Sequence, residues 1–533
     1  MEPRSKITRV VRIVLTLTVF ILMLGQGPPV LAQEGTGGAP TPAPVSPPTV
    51  TKPTASPPQA GDVAPQKGEP PSSIVYNLYA TDAFIPLADG SAVYNYGFVG
   101  GRQGVPFTYQ KSVTPGGGHA DDTGLWTSFT SNGNGTIATG APAPTGGQVK
   151  PAEAELLGNA QFPAPLIFAS VGDVVEIRLK NLGTTVDGAP NDPHSIHLHG
   201  LDVDAANDGV PETSVGAIPA NADPPVPGAG NVIVYMVSPK YAGTTMYHCH
   251  QEADIHVQMG MYGALVVYEK GDAAAGSNCG VSKQEPCGPG SGKGGTLYGW
   301  KYDKDYVLLE SELGAAQHVS EEISGSYNPV DYKPQYWFLN GLSFPNTIHV
   351  GLPGAGWNDW IAAHPGYDPF ITGSVKNKDK VLIRMINMGY ETQPMHMHGF
   401  HGKVIGSDQR GWNWANKPQE PAGKGLEKNT LTIGSGETYD WLIDFGTVTL
   451  TATYPGGTQT RYDGAGPQSN TLTTKSVIPD LSGVAYIGGP TVTGAQGLPT
   501  PGQLFPFHNH DDYKATNNGT YPGGMFTMIM PLP

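Results

Sequence analysis

The chain repeats itself in a way that admits few folds. Val171-Gly-Asp-Val-Val-Glu-Ile-Arg-Leu-Lys-Asn-Leu-Gly183 leads to His197-Leu-His199-Gly, and Lys378-Asp-Lys-Val-Leu-Ile-Arg-Met-Ile-Asn-Met-Gly389 leads to His396-Met-His398-Gly. Each half then closes on a second pair, His248-Cys249-His250 in the first and His508-Asn509-His510 in the second. Self-similarity of this kind marks a duplicated structural unit. Its units are β-structured: Ile74-Val-Tyr-Asn-Leu-Tyr-Ala and Tyr306-Val-Leu-Leu-Glu are rich in β-formers, as strands are. Glycine (73) and proline (51) are abundant and charged residues make up only 14 %, which disfavours long helices. A chain of 533 residues also exceeds what one hydrophobic core supports. The sequence therefore predicts an all-β protein of two sandwich domains, 72–272 and 296–533, joined by a Gly-rich loop over 273–295.

The histidine pairs carry the chemistry. On a strand, residues i and i+2 share a face, so each His-X-His pair offers two imidazoles side by side. A lone pair is weak evidence for a metal, but four at equivalent places in a duplicated unit are specific. Imidazole suits copper, and Cu(II) binds most tightly among the divalent first-row metals. Cys249 lies between two such histidines, so its sulfur points to the opposite face while staying covalently joined to both. With His194 upstream and His256 and Met261 downstream it forms a set of two imidazoles, one thiolate and one thioether, the donor set of a blue-copper electron-transfer site.

The N-terminus has a basic stretch, an apolar run from Ile13 to Leu24, and Val30-Leu31-Ala32 before Gln33, the pattern of an export signal over 1–32. An uncleaved anchor is the alternative, although the run is shorter than the roughly 20 residues a spanning helix needs. A Pro/Thr/Gly-rich segment, 33–71, reads as an extended tether. Export to a secreted, periplasmic or cell-surface location suits a disulfide between Cys279 and Cys287, with two free thiols as the alternative. The net charge of -15 argues against a nucleic-acid partner.

These motifs resemble those of multicopper oxidases, specifically two-domain, laccase-like members in which only the first domain keeps the blue type 1 copper. His194-Ser-Ile-His197-Leu-His199-Gly resembles the family's His-Pro-X-His-X-His-Gly, and Tyr247-His248-Cys249-His250 with His256 and Met261 resembles its cysteine loop. The second domain departs from the pattern, with Gln393 for the first histidine and Asn509 for the cysteine. The spacing from Cys249 to His256 is closer to that of copper nitrite reductases.

The resemblance implies two cupredoxin-like Greek-key β-sandwiches and four coppers per chain. His194, Cys249, His256 and Met261 would hold the type 1 copper, and His197 and His396 the type 2 copper. His199, His248, His250, His398, His508 and His510 would hold the type 3 pair. Cys249 would carry electrons, and Asp208 matches the position of the family's proton-relay aspartate. A turn-forming role for Asp208 is the alternative, and Glu252 and Asp254 are further candidates for proton relay or for docking a cationic donor. The implied activity couples one-electron oxidation of phenols, aromatic amines or metal ions to reduction of dioxygen to water. The expected assembly is a homotrimer with clusters shared between subunits, since a head-to-tail ring of three two-domain chains closes by rotation, with a monomer folded onto a single cluster as the alternative. A nitrite reductase would need fewer cluster histidines, so His250 argues against it, and a non-catalytic copper carrier would need none of the cluster ligands.

Overall fold

The computed structural model describes most of the chain from Ile74 to Leu532, leaving out 104–106, 114–127, 132–136, 139–155, 221–231, 275–286, 349–365, 413–425, 463–504 and a few single or paired positions. The expected export signal, the tether and Cys279 lie outside the described residues. Among those described, no helix is long and apolar enough to cross a membrane. Cys287 is disulfide-bonded and Cys249 is a buried free thiol.

The fold is all-β, as the sequence predicts. In the first half, β1 (Ile74–Pro86), β2 (Ala92–Arg102), β4 (Val175–Gly183) and β6 (Ile233–Val237) form a sheet in the order β2-β1-β4-β6. Facing it, β3 (Ile167–Ser170), β5 (His197–Leu198), β7 (Gly243–His248) and β8 (Tyr262–Tyr268) run in the order β3-β8-β7-β5. A short helical turn, α1 (Ala253–His256), lies between β7 and β8. Strand β1 shows why the layers close: Ile74, Tyr76, Leu78 and Ala80 are buried while the residues between them are half-buried. Its inward residues join Ile177, Leu179, Ile167, Tyr247 and Val267 from both sheets in one core. Two parallel pairings, β1 with β4 and β3 with β8, fix the topology.

The second half repeats this plan. Its strands are β9 (Lys304–Leu313), β10 (Tyr336–Leu339), β11 (Ile371–Ser374), β12 (Lys380–Asn387), β13 (Gln393–Met397), β14 (Gly402–Ser407), β15 (Thr430–Ile433), β16 (Thr438–Asp444), β17 (Phe505–Asn509) and β18 (Phe526–Leu532). They form the paths β10-β9-β12-β16-β14 and β11-β18-β17-β13-β15, again with two parallel pairings, β9 with β12 and β11 with β18. The repeated motif thus falls on equivalent strands, β4 and β12, and the register places His197 opposite His248 and His396 opposite His508.

The halves share a third core, in which Met246, Tyr262 and Val266 pack with Val307, Leu309 and Leu382. Within this contact lies a buried charge network. Arg384 on β12 donates to Asp305 at 2.9 Å and to the Thr244 hydroxyl on β7 at 3.2 Å, and Thr244 donates to Asp440 at 2.5 Å. Removing one member of such a network leaves an uncompensated buried charge, at a cost of about 3–5 kcal/mol. Because β7 ends in His248, the network also fixes the strand that carries the site.

Candidate metal centres

Cys249 follows directly on the end of β7, and its alternation sends the sulfur into the first core while the flanking imidazoles face outward. Sγ lies 3.9 Å from His194 Nδ1 and 3.5 Å from His256 Nδ1. His194 is held by a pair of backbone hydrogen bonds with Ile218, and α1 carries His256 back toward the sulfur. The three donor atoms lie within 4.8 Å of one another, and all three residues are buried. Met261 is also buried, and its carbonyl accepts the Cys249 N–H at 2.9 Å. Ser195 N–H donates toward the sulfur at 3.5 Å. Burial holds the His194 imidazole well below its ordinary range. Burial acts on His256 in the same direction, yet Asp192 and Cys249 outweigh it and raise it to about 10.

On the outer face, His197, His199, His248 and His250 pack ring against ring, with centroids 4.8–5.8 Å apart. His199 Nε2 and His248 Nε2 face each other at 3.0 Å. Two Nδ1 atoms of the quartet are already engaged: that of His248 lies 2.7 Å from the Cys249 carbonyl oxygen and that of His197 lies 2.7 Å from the Asp208 carbonyl oxygen. Burial lowers His199 to about 4 and His248 to about 3.

The second half reproduces this quartet. His398 Nε2 faces His508 Nε2 at 3.1 Å, His508 Nδ1 lies 2.8 Å from the Asn509 carbonyl oxygen, and His396 Nδ1 lies 2.7 Å from the Thr430 hydroxyl. His510 stacks on His508 with centroids 5.9 Å apart. This quartet is the more open one, since His398 and His510 are exposed. Among the described residues, no ring contact joins the two quartets.

The residues fit copper. Imidazoles whose Nδ1 is tied to a carbonyl or hydroxyl present Nε2 as a ligand, the usual outer arrangement of metal-bound histidine. His248 Nδ1 is tied to a carbonyl oxygen, which leaves its Nε2 as a lone-pair donor facing His199 Nε2 at 3.0 Å, a spacing at which both nitrogens can turn to a shared metal site. The buried thiolate with two imidazoles is a soft set that suits the same metal.

The candidate acids separate. Asp208 sits beside His197, with Oδ1 3.4 Å from Nδ1. Glu252 lies on the other side, grouped with Asp192 around His256. Asp254 lines a cavity of about 400 Å³ between the halves, whose walls include His199, His248, Met246, Val257 and Met388. Sequence reasoning missed Ser195, Thr430 and Lys514, because nothing in their neighbourhood marks a serine, a threonine or a lysine as a contact of distant residues.

A multicopper oxidase family model matches residues 139–271 and 337–446. Copper resistance protein A of Pseudomonas syringae pv. tomato is 35 % identical over 112 residues, covering 21 % of this chain and 15 % of that protein. Dihydrogeodin oxidase of Aspergillus terreus is 33 % identical over 296 residues, covering 54 % of this chain and 38 % of that protein. The chain thus spans well under half the length of either. Among solved structures, the blue copper oxidase from Nitrosomonas europaea aligns over 85 % of both chains with 19 % identity and a TM-score of 0.45.

Proposed function

We propose that this chain, which a multicopper oxidase family model matches over residues 139–271 and 337–446, is a copper-binding member of that family that oxidises small reducing donors one electron at a time and reduces dioxygen to water. The observation that carries this reading is the position of Cys249: its sulfur meets His194 and His256 in the core, while its two chain neighbours stand in the imidazole quartet. His194, Cys249, His256 and Met261 would hold one copper. His197 and His396 would hold a second, and the remaining six imidazoles a coupled pair. When bound, copper supplies reversible one-electron chemistry at the thiolate and a multi-electron store at the imidazoles.

The chain's own residues do the rest. His256 presents Nε2 toward Asp192, on the half-exposed side where a donor approaches. Cys249 links that side to His248 and His250 through a few covalent bonds. Asp208, beside His197, holds a carboxyl close enough to deliver protons as oxygen is reduced. The largely apolar cavity against His199 and His248 gives dioxygen a way in. Phenols, aromatic amines and metal ions are the donor classes, and the acids near His256 favour cations among them.

The reading includes a homotrimer. A quartet from one half needs a quartet from the other, and head-to-tail rings of identical chains bring such unlike faces together. It also includes export, supported by the basic and apolar N-terminus and the disulfide at Cys287.

The test is copper stoichiometry with oxygen uptake on the full chain and its Cys249→Ser variant. Four coppers per chain, oxygen consumption, and loss of both blue colour and donor oxidation in the variant support the proposal. A variant that stays blue, or a parent that binds copper without consuming oxygen, overturns it.

A further inference from the structure

The second half keeps the backbone of the thiolate centre and fills it differently. Asn509 N–H donates to the Met525 carbonyl at 2.9 Å, as Cys249 N–H does to Met261. Gln393 stands three residues before His396, as His194 stands before His197. In place of a metal-ligating set, Asn509 Nδ2 donates to Gln393 Oε1 at 2.7 Å and toward Met525 Sδ at 3.4 Å, and Gln393 Nε2 donates to Glu312 at 2.8 Å. Into this group reaches Lys514. Its Nζ donates to the Thr392 carbonyl at 2.7 Å and to Gln393 Oε1 at 3.3 Å, with carboxylate oxygens of Glu391 and Asp511 each 3.2 Å away.

Lys514 is 2 % exposed, and Gln393 and Asn509 are fully buried. An ammonium in such a place is costly unless it is surrounded by acceptors, and here every close polar atom is one. The acceptors come from two segments, Glu391–Gln393 leading into His396 and His398, and Asp511 just after His510. Between them His510 N–H donates to the Pro394 carbonyl at 2.7 Å.

We propose that Lys514 is a positioning residue that serves as the second half's resident cation, tying together the two segments that carry the second imidazole quartet and presetting that quartet before copper arrives. The inference rests on the reading of the quartets as copper ligands, but its structural part does not. At the equivalent place the first half gathers the donor set His194, Cys249 and His256. The second half exchanges a bound ion for a covalently attached one, so its geometry is independent of copper supply.

The test compares the full chain with Lys514→Met, which keeps length and removes charge, and with Lys514→Arg, which keeps charge. In metal-free protein, hydrogen exchange at the His510 and Asn509 amides should accelerate at least about tenfold in Lys514→Met, with β7 and β8 unaffected and with partial rescue by Lys514→Arg. On copper titration, Lys514→Met should retain the blue absorption while the imidazole-bound copper weakens by about 10- to 100-fold, the usual cost of losing an outer-shell partner. Unchanged exchange at those amides overturns the proposal. If exchange changes but the parent binds no copper at the imidazoles, the positioning role stands and the functional reading falls. Should Lys514→Met fail to fold, Glu391→Gln, which loosens the same ammonium from a partly exposed partner, is measured instead, and parent-like exchange there counts against the proposal.

Discussion

His256 stands between a sulfur and a carboxylate, with Nδ1 3.5 Å from Cys249 Sγ and Nε2 3.5 Å from Asp192 Oδ2. One ring therefore joins the buried thiolate to a group that solvent can reach. Asp192→Asn keeps the shape and removes the charge. Oxidation of a cationic donor such as ferrous or manganous ion should slow several-fold in kcat/KM while a neutral phenol is little affected. Equal losses for both donors would remove the electrostatic role.

Asp208 touches His197 through both its carbonyl and its carboxylate. The carbonyl contact orients the ring and survives any side-chain substitution, so Asp208→Asn isolates the titratable group. Reoxidation of the reduced protein by dioxygen should slow by about 100-fold, the usual scale for a lost general acid, with reduction of the blue copper unchanged. Stopped-flow traces of the two half-reactions measure each rate separately.

Acid sensitivity has a source outside the metal centres. His318, on the helix α2 (Ala315–Ile323), is buried against the first half, with Nδ1 2.5 Å from the Tyr94 carbonyl oxygen and Nε2 3.2 Å from that of Gln258. Burial lowers it to about 4, the two carbonyls offsetting only part of the effect. The unfolded chain binds this proton more tightly than the folded one, so stability is full above about pH 6.5 and is lost as the pH falls toward 4. In metal-free protein His318→Gln should flatten the dependence of the melting temperature on pH across that window. An unaltered slope would assign the acid sensitivity to other groups.

Mixing tests the shared cluster. Chains carrying His250→Ala and chains carrying His508→Ala should each be inactive alone. Mixed and reassembled, they should regain part of the oxygen uptake, because some interfaces then carry an intact set of eight imidazoles. Full activity from a species with the mass of one chain would exclude the ring.

Much of this was readable from the sequence. Alternation along a strand sets Cys249 against its neighbours, and so separates a buried sulfur from two outward imidazoles before any coordinates exist. The duplication gave the second quartet its place. What escaped was whatever depends on contacts between distant segments. Glu252 and Asp254 look equivalent in sequence, yet the left-handed backbone of Glu252 and the turn of α1 send one toward His256 and the other into the cavity. Gln393 and Asn509 were legible as losses, but their replacement by an amide network around Lys514 was not, since a lysine five residues past Asn509 reads as an ordinary surface charge.

The unequal exposure of the two quartets bears on how the protein matures. His398 and His510 lie open on a lone chain, whereas His248 is enclosed. The open imidazoles are a chelating surface for whichever divalent ion reaches them first, and in the proposed ring zinc or nickel could occupy it before a neighbour covers it. Copper displaces both, because its imidazole complexes are the tighter, but only while the face is still uncovered. In the proposed ring, assembly would then be a race between metal exchange and subunit closure, and a culture short of copper should yield rings sealed around the wrong ion.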